Sequence, residues 1–391
     1  MMGAVIYLDY AATTPILDEV LEAMLPYQRE LFGNPSSVYA AGRAAKKGLE
    51  EAREQVAEAV GGLPSEIIFT GGGTEADNLA LKGAAFTHRS RGNHIVTTSI
   101  EHHAVLHSAE WLERQGFRVT FLPVDRNGMV DLAALESSLT NQTILVSVML
   151  ANNEVGTIQP LAEVAKIVKE RSKALLHTDA VQGLGKIPID ISEYGFDMAS
   201  FAAHKLGGPK GVGALWIRHK TVIQPISHGG GQERGMRSGT PNVAGMIGFG
   251  AAAKIAAREV AREAARLAPL RDRLQASILE AISSVEVNAG GAPRLPGTLS
   301  ICIRGVEGES LLLMLDSKGI AASSGSACAS GSLDPSHVLM AMGIPPEMAH
   351  GSLRFSMGRG TTEQDVQAAV KALAEVVERL RAIAPSFAGS G

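Results

Sequence analysis

The sequence predicts an α/β protein with a mainly parallel sheet and a second, smaller α+β domain. Three observations carry this. Short apolar runs alternate with amphipathic helical stretches between residues 66 and 218, the pattern of strand–helix–strand crossovers. Several runs, such as TILVSVML at 143–150, are nearly continuous in Val, Ile and Leu, as strands covered on both faces are. At 391 residues the chain exceeds one simple core, so two domains are expected.

In chain order, the expected strands are EIIFT (66–70), HIVTTS (94–99), RVTFLP (118–123), TILVSVML (143–150), ALLHTD (174–179), MASFAA (198–203) and GALWIR (213–218). They form a seven-stranded sheet between helices, with helices expected at 74–89, 103–116, 131–139 and 160–172. A long Ala-rich amphipathic helix follows over roughly 242–285, broken or bent near Pro269. Then come GTLSICIRGV, ESLLLMLDSKGI and a last helix over 363–383, which read as the smaller domain. The large domain is placed at 15–255 and the small one at 1–14 and 256–391. The tail APSFAGSG reads as frayed.

Composition narrows the function classes. A formal net charge of −4 offers no field to attract nucleic acid or an anionic membrane. Aromatic residues are only 4%, too few for a base-stacking surface. No apolar run reaches the roughly 18 residues that span a bilayer. The start, MMGAVIYLDY, lacks the basic and then apolar regions of a secretion signal. Two cysteines cannot build a disulfide scaffold and suit a reducing compartment. The expectation is a cytoplasmic enzyme that binds neither nucleic acid nor membrane.

In open α/β sheets, ligands bind beyond the carboxyl ends of the strands, and the unusual polar groups fall there. TGGGTEADNLAL (70–81) puts three glycines between a strand and a helix. It reads either as an anion cradle or as a tight turn with Thr74 as N-cap. Asp179 follows an apolar strand and reads as a cap or as a ligand to a buried cation. Lys205 follows another strand, where burial frees an amine for Schiff-base chemistry. Together, anion cradle, carboxylate and lysine are what pyridoxal phosphate requires. SIEHHAVLHS (99–108) adds imidazoles that could stack on its ring. His103 and His107, one helical turn apart, raise a metal reading, but no Cys or acidic partner has the usual spacing, so no metal is expected. Cys302, in an alternating apolar strand, reads as core. Cys328 sits in SSGSACASGS (323–332), a run of small residues that reads as a mobile loop.

The chain resembles the cysteine desulfurases of the class-V aminotransferase group, pyridoxal-phosphate enzymes of fold type I. The resemblance spans almost the whole sequence through YLDYAATTP, FGNPSS, GGGTEADN, EHHAVL, NNEVGTIQP, DAVQGLGK, HKLGGPKGVG, GGGQERGMRSGT, SSGSACASGSLDPS and SLRFSMGRGTTEQD. The long serine-rich cysteine loop resembles the group containing housekeeping and nitrogen-fixation desulfurases.

The resemblance implies that Lys205 binds the cofactor aldehyde and takes the substrate α-proton. It implies that Asp179 faces the pyridinium nitrogen, Gln182 the ring hydroxyl, and that His102 stacks on the ring as an acid/base. It places Gly73, Thr74 and His204 at the phosphate, Asn153 beside the cofactor, and Thr240 at the phosphate of the other subunit of a homodimer. Arg354, assisted by Asn34, clamps the substrate carboxylate. Cys328 takes sulfur from L-cysteine as a persulfide, releases L-alanine, and passes the sulfur to an acceptor protein such as an iron–sulfur scaffold. Two departures stand out. Ala202 occupies a position where relatives often have a serine that donates to the phosphate. Tyr39 stands where they often carry histidine. The chain also ends soon after its last helix, whereas longer relatives dock a scaffold with an extension there. The rival readings are an aminotransferase or selenocysteine lyase on the same scaffold, and a non-catalytic cofactor-binding regulator.

Overall fold

The computed structural model describes residues 5–325 and 335–383. After β1 (Ile6–Tyr7) come seven strands: β2 (Ile67–Thr70), β3 (His94–Thr98), β4 (Arg118–Leu122), β5 (Thr143–Ser147), β6 (Leu175–Asp179), β7 (Met198–Ala202) and β8 (Gly213–Ile217). They form one sheet in the order β2-β8-β7-β6-β5-β3-β4. Only β8 is antiparallel to its neighbours, β2 and β7. All seven strands read from the sequence are present.

Side-chain alternation divides this sheet cleanly between two cores. Phe69, Val96, Val146, Ala199 and Trp216 point to one face, and their neighbours Ile68, Ile95, Leu145, Met198 and Leu215 to the other. This is why the runs look continuously apolar in sequence. The first face is covered by α1 (Asp18–Arg29), α2 (Ala40–Val60), α5 (Leu132–Ser138), α6 (Leu161–Arg171), the short α7 (Ile191–Tyr194) and the start of α8 (Val243–Ala281). The second is covered by α3 (Gly73–His88) and α4 (His103–Arg114). Neither α1 nor α2 was expected. α1 carries an internal Pro26, and α2 buries a stripe of mostly small residues, Ala45, Leu49, Ala52, Val56 and Val60. That composition serves close packing: a Cβ on Gly250 of α8 would lie 2.7 Å from the Ala52 Cα of α2.

α8 corrects an expectation. It runs unbroken past Pro269, although proline removes one hydrogen bond from a helix interior. Its start packs in the large-sheet core through Met246 and Phe249, and its end in a separate core through Leu274 and Ile278. Near the proline, Arg266 donates to the carbonyls of Gly358 and Thr361 at 2.9 and 2.7 Å, clamping that turn.

The separate core lies under an antiparallel sheet ordered β12-β10-β9, from β9 (Val285–Val287), β10 (Thr298–Ile303) and β12 (Ser352–Ser356). α9 (Gly308–Ser317) and α12 (Glu363–Ile383) cover it. β1 pairs in parallel with β11 (Ile320–Ala321), so Leu8 is buried in this core although it opens the chain. Two short helices, α10 (His337–Ala341) and α11 (Pro346–Ala349), close the structure near β10. Cys302, on β10, is fully buried, and burial pushes its thiol up to about 11. It is a core residue, as expected.

A buried ion pair ties edge strand β2 to the loop that carries Thr240. Arg53 of α2 donates twice to the Glu233 carboxylate, both at 2.7 Å. Glu233 also accepts from Phe69 N at 2.8 Å, and Arg53 donates to Ile67 O at 2.9 Å. Glu233 and Arg234 hold left-handed backbone, with φ of 43° and 57°. Removing one partner of such a pair strands the other charge. Glu233→Ala should therefore lose about 3–5 kcal/mol in urea unfolding, with Arg53→Met/Glu233→Leu losing clearly less. Equal losses in the two variants would rule out a stranded guanidinium as the cause.

Candidate active site

The carboxyl ends of β6 and β7 and the loops after β3 and β5 meet an N-terminal strap, residues 9–15, at one end of the large sheet. Lys205 lies in a single turn after β7. Its Nζ donates to the carbonyls of Ala11 and Ala12 at 2.6 and 2.7 Å. Asp179 ends β6, and its carboxylate accepts from Val181 N at 2.9 Å. Burial pushes its carboxyl up to about 6, opposed by the Val181 N–H and the charge of Lys205.

His102 is the N-cap of α4. Its Nδ1 accepts from Ala104 N at 3.1 Å, so the ring proton resides on Nε2. Burial, then Lys205, pushes this imidazole down to about 4. It is neutral at ordinary pH. Ligating atoms of His102, Asp179 and Asp77 lie within 4.8 Å of one another. His103 and His107 do something else: their rings stack at 4.9 Å, and His337 packs on His103 at 4.7 Å.

The glycine turn opens α3, with Gly72 as N-cap. This corrects the reading of Thr74 as cap: Thr74 lies inside the first turn and is exposed. The first-turn N–H groups of Gly73 and Thr74 have no intrahelical acceptor. A Cβ on Gly73 would sit 2.7 Å from Val181 and 3.6 Å from the Ala202 methyl. Ala202 thus borders the cradle, as its sequence position implied. His204 contacts Thr13 Oγ1 at 3.1 Å. Gln182 donates to Ala11 O at 3.0 Å.

Arg354, on β12, donates from Nη1 to Asn153 O at 2.7 Å and from Nη2 to Asp9 Oδ1 at 2.6 Å. Among the described residues its Nε is buried without a partner, and so is Asn153 Oδ1. Buried polar atoms are rarely left unpaired; two at one site mark a place for a polar ligand. The chemistry of the set suits pyridoxal phosphate: free N–H groups for an anion, a buried carboxylate for a ring cation, an amine for an aldehyde.

Two predicted residues, Asn34 and Thr240, are not brought into contact with these. Asn34 is exposed and accepts from Ser36 N at 2.9 Å; no described hydrogen bond joins it to Arg354. Thr240 is exposed on its loop, and Tyr39 is exposed as well. Cys328 lies outside the described residues. The chain on either side of it is anchored at the site. Ser323 pairs with the Arg354 backbone. Ser336 Oγ donates to the buried Glu154 carboxylate, and His337 Nε2 donates to Glu101 O at 3.0 Å.

Sequence reasoning missed Asp9, Asp77, Glu101 and Glu154. All four sit inside quoted motifs, and an acidic residue on the apolar face of α3 was a signal for Asp77. Asp77 is almost fully buried; burial first, and then the charge of Asp179, hold its carboxyl well above the usual range. His177, between Ser147 and Ser200, is pushed down to about 3 by burial.

A family model described as aminotransferase class-V matches residues 6–369. The chain is 50% identical over 380 residues to a cysteine desulfurase IscS of Dictyoglomus turgidum, covering 97% of this chain and 96% of that one. Over 380 residues it is also 50% identical to a cysteine desulfurase IscS of Methanosarcina thermophila, covering 97% and 94%. A solved structure described as a NifS-like protein superposes with a TM-score of 0.90 at 42% identity, covering 96% of this chain and 100% of that one.

The buried groups set the pH profile of cofactor-free protein. His102 and His177 are neutral in the fold and protonate near pH 6.5 when unfolded. Their stabilisation is present above that pH and is lost as pH falls toward 4. Glu101 is pushed up to about 8, burial being the main cause. Its stabilisation is present below about pH 4 and is lost as pH rises through 8. Urea unfolding should therefore show stability declining from pH 6.5 to 8, with Glu101 contributing up to about 1.4 kcal/mol per unit, and Glu101→Gln should reduce that decline, the raised carboxyl of Asp77 keeping the remainder. An unchanged decline in the variant would exclude Glu101 as its source.

Proposed function

The chain belongs to the class-V aminotransferase family, and on that premise we propose how its residues perform its reaction, the desulfuration of L-cysteine by a pyridoxal-phosphate-dependent cysteine desulfurase. The observation that carries the assignment of roles is the convergence of Lys205, Asp179, His102 and the unpaired Arg354 Nε on one end of the sheet, with both flanks of the Cys328 segment anchored there.

Gly73, Thr74 and His204 would hold the phosphate of pyridoxal phosphate, Asp179 would serve its ring nitrogen and Gln182 its ring hydroxyl, and Asn153 and His102 would line the ring. When bound, pyridoxal phosphate withdraws the electrons released at the substrate α-carbon. Arg354 binds the L-cysteine carboxylate through Nε and an Nη, a bidentate geometry that orients the α-carbon. Lys205 gives up its hydrogen bonds to Ala11 and Ala12 and removes the α-proton. His102 holds a proton at Nε2 for the sulfur. The Cys328 thiolate attacks the substrate sulfur: an S–S bond forms, the Cβ–S bond breaks, and its electron pair stays with the three-carbon fragment. That fragment is protonated and leaves as L-alanine, and Cys328 remains as a persulfide. The sulfur then passes to an acceptor, for which an iron–sulfur scaffold protein is the class we favour.

The active unit is a homodimer in which Thr240, exposed in one protomer, reaches the partner's phosphate site. The division into 15–255 and 1–14 with 256–391 is supported by the two separate cores. No described helix is long and apolar enough to cross a membrane, and the two cysteines suit the cytoplasm.

Cys328→Ala should retain the visible absorbance of bound cofactor and lose alanine formation from L-cysteine by more than about 100-fold; mass spectrometry of the wild type should find one extra sulfur on Cys328. Sulfide release at the wild-type rate by the variant would sink the persulfide step, and a thiol-independent half-reaction with L-alanine and a keto acid would point to transamination instead. Ala202→Ser should add a phosphate donor beside Gly73 and tighten cofactor binding by about 1 kcal/mol, measured by reconstitution. Weaker binding would place residue 202 off the phosphate.

A further inference from the structure

Lys186 ends the DAVQGLGK run and has no role in the reaction as described above. Its Nζ donates to Gln182 Oε1. The other end of that carboxamide, Nε2, donates to Ala11 O at 3.0 Å, and the same carbonyl accepts Lys205 Nζ at 2.6 Å. Lys186 and Lys205 also line one cavity of about 390 Å³ with Tyr10 and Leu17. Gln182 and Lys205 therefore share one backbone oxygen, and Lys186 joins them through Gln182.

A carboxamide has one accepting end and one donating end. Here an amine holds the accepting end and a carbonyl, which can only accept, holds the donating end. Turning the amide over would break both hydrogen bonds and oppose like ends. Among the described residues, Gln182 Oε1 takes no other side-chain donor. An amide nitrogen carries two hydrogens, and Ala11 uses one. Burial pushes the Lys186 amine well below its usual range, with Lys205 and Arg354 acting in the same direction and Asp9 against. The amine keeps an N–H to donate in either charge state, so the bracket on Gln182 survives its titration.

We propose that Lys186 is a positioning residue: it locks the Gln182 carboxamide so that its second N–H is kept for the ring hydroxyl of pyridoxal phosphate. The inference rests on the reading that Gln182 serves that hydroxyl. An N–H held on the phenolic oxygen stabilises its anion. Loss of the lock therefore weakens the preference for the anion and alters how cofactor bound to Lys205 titrates.

The test is a pH titration of the visible absorbance of the holoenzyme. Lys186→Met should shift the midpoint by about one unit from wild type, and kcat should fall about ten-fold while KM for L-cysteine changes by less than about two-fold. Lys186→Arg, which still donates, should restore the midpoint. Gln182→Ala should shift it by the same amount, and adding Lys186→Met to that variant should change nothing more. A Lys186→Met midpoint equal to wild type, or a further shift in the double variant, overturns the proposal. Circular dichroism checks the fold, and Lys186→Ala replaces Lys186→Met should the latter not fold. Failure of wild-type protein to develop visible absorbance with added pyridoxal phosphate would be a different failure, that of the cofactor reading itself.

Discussion

The carbonyl oxygens of Ala11 and Ala12 turn onto Lys205 Nζ, and most of the site follows from how the strap around them is held. Leu8, just before it, is fully buried in the small core. Ala11 N donates to Ser356 Oγ at 2.8 Å, and Asp9 pairs with Arg354, which fixes the strap to β12. At its other end, Thr14 N donates to His204 O at 2.9 Å and Leu17 N to Gly207 O at 3.0 Å, which fixes it to the turn after β7. The strap thus connects the lysine turn of the large sheet to the arginine strand of the small one. Its backbone can do this because a carbonyl accepts two hydrogen bonds and carries no charge to be desolvated.

The ionisable groups around the strap are arranged by burial more than by pairing. Burial is the leading cause of the upward displacement of Asp77, Glu101 and Asp179 and of the downward displacement of His102 and His204. Such a cluster is costly in a protein that only has to fold. It suits a site where protons must move, since Asp179 near 6 and Glu101 near 8 titrate close to ordinary pH, while His102, near 4, stays neutral with its proton on Nε2. Arg354 illustrates the same economy of design. Two of its nitrogens are held by protein acceptors, Asn153 O and Asp9, and among the described residues the third is buried without one, a fixed planar donor of the kind a carboxylate matches.

Much of this was legible beforehand. The parallel sheet was readable because two-faced burial writes itself as continuous Val, Ile and Leu, seen in TILVS of β5. Lys205 and Asp179 were readable because polar groups directly after such runs fall at the binding edge of the sheet. Helix α2 was not read, although Ala45, Leu49, Ala52, Val56 and Val60 recur at helical spacing, because the alanines weaken the apolar contrast of that stripe. The uninterrupted course of α8 was not, because what holds the turn at Pro269 is Arg266 reaching carbonyls more than 90 residues away. Asp9 passed unnoticed inside a quoted motif because its partner is on β12, at the far end of the chain.

The linear order of residues was enough to establish the sheet and, through the family resemblance, the cofactor class, and to single out a lysine, a carboxylate, an arginine and a thiol as candidates, since these depend on local periodicity and on motifs that stay contiguous. Only the folded chain established which partners those groups have: the strap carbonyls beneath Lys205, the Asp9 contact of Arg354, the amine that grips Gln182, and the displacement of buried acids and imidazoles. Partners and desolvation are properties of segments brought together from a distance, and periodicity along the chain carries no information about them.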